Sequence, residues 1–338
     1  REALRALSQQ EYAALQELCE SNGISEDQLV HRAHEVSTLE MFMYNFPKMC
    51  CLSFFPNITT LCIMQQNLTR IETLEACVNL ENCWLNENRI DRLDGLQNCV
   101  NMKNLYLHTN KIRRIENLDN LTKIERLWLA DNQIPRIEGL HTLYNMIELN
   151  FSRNKIERIG DVFKHNPNLT SINFSDNGIG SFKEVCHLAR LPHLKDLCLS
   201  DPHWGENPLS SLCNYQTYVL FNIQQLTCLD TLNLADETKQ LAEATYMKKK
   251  MYYNMRIKTL RRNTTNALRR AQEGKQGKVG QANQMLNTLI RQQKDIEREI
   301  EEIKFYHSGE DHEDILGPLE AKCEVLKGVV ERKAKEVS

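Results

Sequence analysis

Asparagine stands at positions 88, 110, 132 and 154, so one residue type returns every 22 positions. The apolar residues around it return in the same register. Leu80, Cys83, Leu85 and Ile90 become Met102, Leu105, Leu107 and Ile112, then Ile124, Leu127, Leu129 and Ile134, then Met146, Leu149, Phe151 and Ile156. A further copy, Leu169, Ile172, Phe174, Asn177 and Ile179, arrives one residue late. Upstream, Ile58, Leu61, Ile63 and Leu68 form a first copy in which Gln66 replaces the asparagine. Units this short cannot enclose a core of their own, and each buries its apolar edge only against its neighbours. The chain therefore reads as a solenoid.

Each unit opens with a short strand whose alternate residues point inward. The amide follows where the chain turns away, and it carries both the donor and the acceptor that such a turn leaves unpaired. Gln66, Asn88, Asn110, Asn132, Asn154 and Asn177 should form a ladder through the stack. What remains of each unit is long enough for only a short convex turn. The ends need caps. Residues 1–48 read as a helical cap, with a helix at Glu11–Cys19 stopped near Gly23, and Met49, Leu52 and Phe54 as a truncated leading strand. The repeat region spans 49–241. Its seventh unit begins at Leu194, Leu197 and Leu199, and Pro202 in the ladder position predicts that the amides stop there. Residues 207–235 form a closing segment with Leu229, Leu232 and Leu234 as the last strand.

These residues resemble the short, phosphatase-regulator-like type of leucine-rich repeat, with its L-x-x-L-x-L-x-x-N-x-I unit. The resemblance covers about residues 50–235 and implies an α/β solenoid: a horseshoe with a parallel concave sheet, short convex turns and a C-terminal cap. Residues 188–213 and 247–260 further resemble a large leucine-rich-repeat protein associated with motile cilia. That second resemblance implies a cytoplasmic protein of the ciliary or flagellar axoneme, by association alone.

Beyond the repeats the composition changes. Residues 242–283 read as a basic helix, with Lys248, Lys249, Lys250, Arg256, Lys258, Arg261 and Arg262 among its cations, and a hinge at Gly274, Gly277 and Gly280. In one reading it is a solvated helix whose Met251, Met255 and Leu260 pack on the cap. In the other it docks on an acidic surface, tubulin or RNA phosphate, and the lack of an RNA-reading motif makes nucleic acid the weaker partner. Residues 284–338 keep heptad spacing on either side of an acidic turn at 309–314 and read as a helical coiled-coil hairpin, or as two helices pairing with another chain.

No catalytic constellation is visible. Ser152 and Ser175 read as tolerated polar positions at strand ends, His108, His141, His165 and His187 are dispersed, and there is no phosphate-binding glycine motif. Twelve scattered cysteines without CxxC or Cys–His spacing read as small buried hydrophobes, not as a metal site. The Asn-x-Thr sequons at Asn57, Asn67, Asn120, Asn168 and Asn263 then read as chance matches. With a formal net charge of −3, no membrane-length apolar run and no visible signal peptide, the expectation is a non-catalytic binder of proteins, without cofactor or small-molecule substrate.

The candidate binding face is the outward side of the strands. There Trp84, Tyr106 and Trp128 occupy equivalent positions in three consecutive units, with Asn86, His108 and Arg126 as a polar rim. Cross-strand pairing alone is one explanation and a partner site the other. A column of arginines (Arg70, Arg92, Arg114, Arg136, Arg158) beside acids (Glu72, Asp94, Glu116, Glu138) reads as a self-neutralising lattice or a second partner surface. The functional readings are an axonemal scaffold, a phosphatase-regulator-like subunit and a spliceosomal-type nucleoprotein adaptor.

Overall fold

A computed structural model describes residues 4, 6–42, 48–273, 279–306 and 313–337 of the chain. Two compact units are present. The first is built on a ten-stranded sheet: β1 (Thr38–Phe42), β2 (Thr60–Met64), β3 (Asn82–Trp84), β4 (Asn104–Tyr106), β5 (Arg126–Trp128), β6 (Glu148–Asn150), β7 (Ser171–Asn173), β8 (Asp196–Cys198), β11 (Cys228–Leu229) and β12 (Leu232–Asn233), in that order. All neighbours run parallel except the last pair. A separate antiparallel pair, β9 (Ser200–Asp201) and β10 (Gly205–Glu206), projects after β8.

Register follows the 22-residue period: Leu61 lies opposite Cys83, then Leu105, Leu127 and Leu149. These side chains are almost wholly buried, as are Leu85, Leu107, Leu129 and Phe151 two residues on. Each buried leucine contributes roughly 1.5–3 kcal/mol. Cys83 and Cys99 occupy leucine positions, and burial pushes the Cys77 thiol up to about 11 and that of Cys99 up to about 12.

The ladder forms. Asn110 Nδ2 donates to the carbonyls of Leu85 (2.9 Å) and Leu107 (3.0 Å), while its Oδ1 accepts from the Ile90 amide (2.9 Å). Asn88, Asn132, Asn154 and Asn177 repeat this arrangement, and Gln66 donates to the Met64 carbonyl. Just before each amide the backbone turns left-handed, at Gln65, Glu87, Thr109, Asp131, Arg153 and Asp176, with φ between 50° and 59°. A non-glycine residue is disfavoured there. The amide's bonds to both flanks of the turn hold it in place.

The structure corrects the reading of both ends. The leading strand is β1, not Met49, Leu52 and Phe54; Leu52–Phe54 is a 3₁₀ turn. Leu39 and Met41 stand 22 residues before Leu61 and Ile63 and pair with them in register. The ladder also does not stop at Pro202. The β9–β10 hairpin loops out, and Asn207 takes the position, donating to Phe174 (2.7 Å) and Leu199 (2.8 Å) and accepting from Ile179 (3.0 Å). Asp230 completes the series by accepting the Leu199 and Ser200 amides at 2.8 and 2.9 Å. Leu229, Leu232 and Leu234 are therefore not one strand. The chain reverses at Asp230 and Thr231, and Leu232 is exposed. At the front, helix α1 (Gln9–Ser21) starts with a capping box in which Ser8 and Glu11 bond reciprocally, and it ends before Gly23 at φ +64°.

The second unit comprises Ser181–Cys186, Gln216–Asn222 and Asp236–Ser338. Its long helices are α5 (Asp236–Glu273), α6 (Val279–Tyr306) and α7 (Glu313–Val337); α2 (Glu26–His31), α3 (Phe182–Leu188) and α4 (Tyr215–Asn222) precede them in the chain. Ile257 of α5, Ile296, Ile300 and Ile303 of α6, and Leu319 and Cys323 of α7 share one apolar cluster; Leu289 and Leu326, flanked by Leu268 and Val330, share another. Successive helices therefore run antiparallel, with α5 and α7 parallel to each other. The basic helix is thus the third member of a bundle, rather than an appendage to a two-helix coiled coil. Gly280 lies inside α6, whereas Gly274, Gly277 and most of the acidic turn fall outside the described residues.

Candidate functional site

Parallel pairing in strict register places equivalent outward residues side by side. Trp84 lies opposite Tyr106, and Tyr106 opposite Trp128. The first two rings stack at 5.1 Å with planes 10° apart, and the second pair meets edge to face at 5.3 Å. All three side chains are half-buried. Burial of part of its ring raises the Tyr106 phenol's pKa above the ordinary value.

A polar chain runs across the strands two residues before the rings. Asn104 Nδ2 donates to Asn82 Oδ1 (2.6 Å), Arg126 Nη1 donates to Asn104 Oδ1 (3.2 Å), and Arg126 Nε faces Glu148 Oε2 at 3.3 Å. Glu148 Oε1 then accepts from the Trp128 indole N–H at 2.8 Å. This chain fixes the edge of the aromatic row: Trp128 is held by its nitrogen and Arg126 by two partners. Preorganised rings lose little freedom on binding.

Of the three rim residues, Arg126 and His108 adjoin the row. The His108 ring lies 6.0 Å from that of Trp128, and burial lowers its pKa below the ordinary histidine value. Asn86 does not belong to the rim. It is only 4% exposed. Among its equivalents Ala130, Ser152 and Ser175 are buried too, whereas Met64 and His108 are half-buried, so burial at this position varies with the side chain. Ser152 and Ser175 are not loosely tolerated: their hydroxyls donate to Asn150 and Asn173 at 2.8 and 2.7 Å. Beyond Trp128 the outward row becomes Asn150 and Asn173, so the aromatic surface is confined to β3–β5.

The arginine column is exposed, and Arg114 reaches Glu138 at 2.7 Å and Glu116 at 3.9 Å. That pairing accords with neutralisation at Arg114. The histidines are less isolated than their spacing implies. His187 Nδ1 lies 2.8 Å from Asp161, which also meets Arg190 at 2.5 Å, and His141 lies 3.6 Å from Asp119. Among the described residues no group of three or more His, Cys, Asp or Glu is placed to hold a metal ion, and no helix is long and apolar enough to cross a membrane.

On α5, Lys248, Lys258 and Arg262 are exposed, whereas Lys249, Lys250 and Arg261 are half-buried. Arg256 is committed elsewhere: its Nε lies 3.0 Å from Glu299 of α6, a carboxylate only 1% exposed. It carries a bundle contact while its own side chain stays exposed. Met251 and Met255 are exposed, while Leu260 packs in the bundle.

A leucine-rich repeat family model matches residues 85–260, more than half of the chain. Among solved structures, an internalin C2 from Listeria monocytogenes is 20% identical over 65% of this chain and 92% of its own, with a TM-score of 0.55. An internalin, inlF, from the same organism is 21% identical over 58% of this chain and 61% of its own, with a TM-score of 0.48. A Drosophila melanogaster SNF/U2A' complex gives 28% identity over 40% of this chain and 75% of the matched one, at a TM-score of 0.37. The internalin C2 likeness is one of fold. With the 22-residue register, the amide ladder and the parallel sheet, the family match places this chain in the leucine-rich repeat family.

Proposed function

We propose that the chain is a non-catalytic scaffold that holds an extended or helical segment of a partner protein across Trp84, Tyr106 and Trp128, in the axoneme of a motile cilium. The observation that supports it is the half-buried aromatic row, anchored by the Glu148–Trp128 bond and flanked by Arg126 and His108. Tryptophan, tyrosine and arginine dominate the energetics of protein interfaces, and leucine-rich repeats in general serve as protein-binding scaffolds. The axonemal setting rests on the resemblance of residues 188–213 and 247–260 to a protein associated with motile cilia. A second contact is assigned to α5, whose exposed Lys248, Lys258 and Arg262 suit an acidic protein surface such as that of tubulin. The test is purification of the tagged chain from ciliated cells with identification of what accompanies it. Enrichment of axonemal proteins is the expected result. A phosphatase catalytic subunit or spliceosomal proteins in their place would overturn the axonemal reading.

A further inference from the structure

Helix α5 buries Ala242, Tyr246, Ile257 and Thr264 along one side. At about 100° per residue, Leu241, Met247, Met251, Tyr252 and Met255 fall on the opposite side. There they are 52–69% exposed. Met247, Met251 and Met255 stand at i, i+4 and i+8, a stripe about 12 Å long. Single exposed apolar side chains are ordinary, but a continuous run of this kind marks a surface that another molecule covers. Methionine, unbranched and polarisable, suits a surface that moulds itself to a partner helix.

The charge around the stripe selects the partner. Residues 246–273 hold nine Lys or Arg against one acid, Glu273. Lys248, Lys258 and Arg262 share the methionine side of the helix, and Lys248 projects between Met255 and Tyr252 in angle rather than at the margin. A lipid surface would have to take that ammonium down with the methionines, whereas a basic membrane helix keeps its cations on the polar face. An unstructured acidic polymer would pair the lysines and leave the methionines in water. A helix with its own apolar stripe and interspersed carboxylates satisfies both sets.

We infer that the Met247–Met251–Met255 face of α5 docks an acidic amphipathic helix of a partner protein. The inference deepens, and rests on, the reading of α5 as a docking element; it is independent of the aromatic row. The probe is a labelled peptide of about 20 residues that forms an amphipathic helix of leucine and glutamate, titrated into the full chain and followed by fluorescence anisotropy. Saturable binding is expected, weakened about tenfold or more by M251Q/M255Q and by scrambling the leucines within the peptide. K248Q/K258Q/R262Q should weaken it mainly at low salt. Wild-type affinity in M251Q/M255Q, or equal binding of a polyglutamate peptide, would overturn the proposal in favour of a purely electrostatic dock. Binding of phosphatidylserine vesicles without binding of the peptide would assign the face to lipid and overturn it equally. If neither peptide nor vesicles bind, the reading of α5 as a docking element fails with it. W84A/W128A should bind the peptide as the wild type does, and loss there would overturn the assignment to α5.

Discussion

Asn110 joins two repeats through one side chain, and its replacement by leucine would leave the Ile90 amide without a partner and take one of two side-chain donors from each of the Leu85 and Leu107 carbonyls in a buried stack. Asn110→Leu should lower stability on the order of 2 kcal/mol or more in chemical denaturation; an unchanged midpoint would remove the ladder from the forces holding the sheet. His108 gives a pH-dependent prediction. Burial holds its folded-state pKa below the unfolded value, so the native state favours the neutral ring. Its contribution to stability is present above about pH 6.5 and is lost as pH falls below it, because the unfolded chain takes up the proton first. Wild type should therefore lose more stability than His108→Gln between about pH 6.5 and 5, read from thermal midpoints in matched buffers. The ladder amides were legible because they recur at one spacing. Asn207 was not, since the β9–β10 hairpin moves it out of register, and Asn86 was misplaced because burial at its repeat position differs between repeats, with His108 half-buried at the same place.

At the scale of elements, α5 shows what composition hides. Its cations read as one charged run, yet Arg256 is tied to the buried Glu299 and stabilises the packing of α5 on α6. Removing one partner of such a pair strands the other charge in the bundle. Arg256→Ala should cost on the order of 2 kcal/mol, and Arg256→Gln/Glu299→Gln should recover most of it; equal losses in both would mean that the ion pair is not the cause. Heptad spacing revealed helices in 284–338 but not that the basic helix packs with them, because Ile257, Leu260 and Leu268 lie among lysines and arginines whose polarity masks a narrow apolar face. β1 escaped notice for a related reason. Leu39 and Met41 keep the period, but position 44 holds tyrosine where the ladder amide would stand.

For the whole molecule, the repeat converts a sequence period into a spatial one. Seven parallel strands from β2 to β8 carry equivalent residues into columns, and only in the columns does the aromatic row exist. The row itself was legible, since 22-residue spacing and strand alternation place Trp84, Tyr106 and Trp128 together. The polar chain that anchors it was not, because Arg126 has to choose between Asn104 and Glu148 on different neighbours and takes both. Cross-strand pairing alone accounts for part of the row's presence, so the distinction must come from binding rather than from stability. The most direct measurement compares tagged wild type and W84A/W128A as baits in ciliated-cell extract, with retained proteins quantified and folding of both baits checked by circular dichroism. We predict that the folded double variant loses one or more of the principal partners, with affinity for each reduced by about 2 kcal/mol or more. Wild-type retention of every partner by the folded variant would contradict the assignment of the binding site to Trp84, Tyr106 and Trp128.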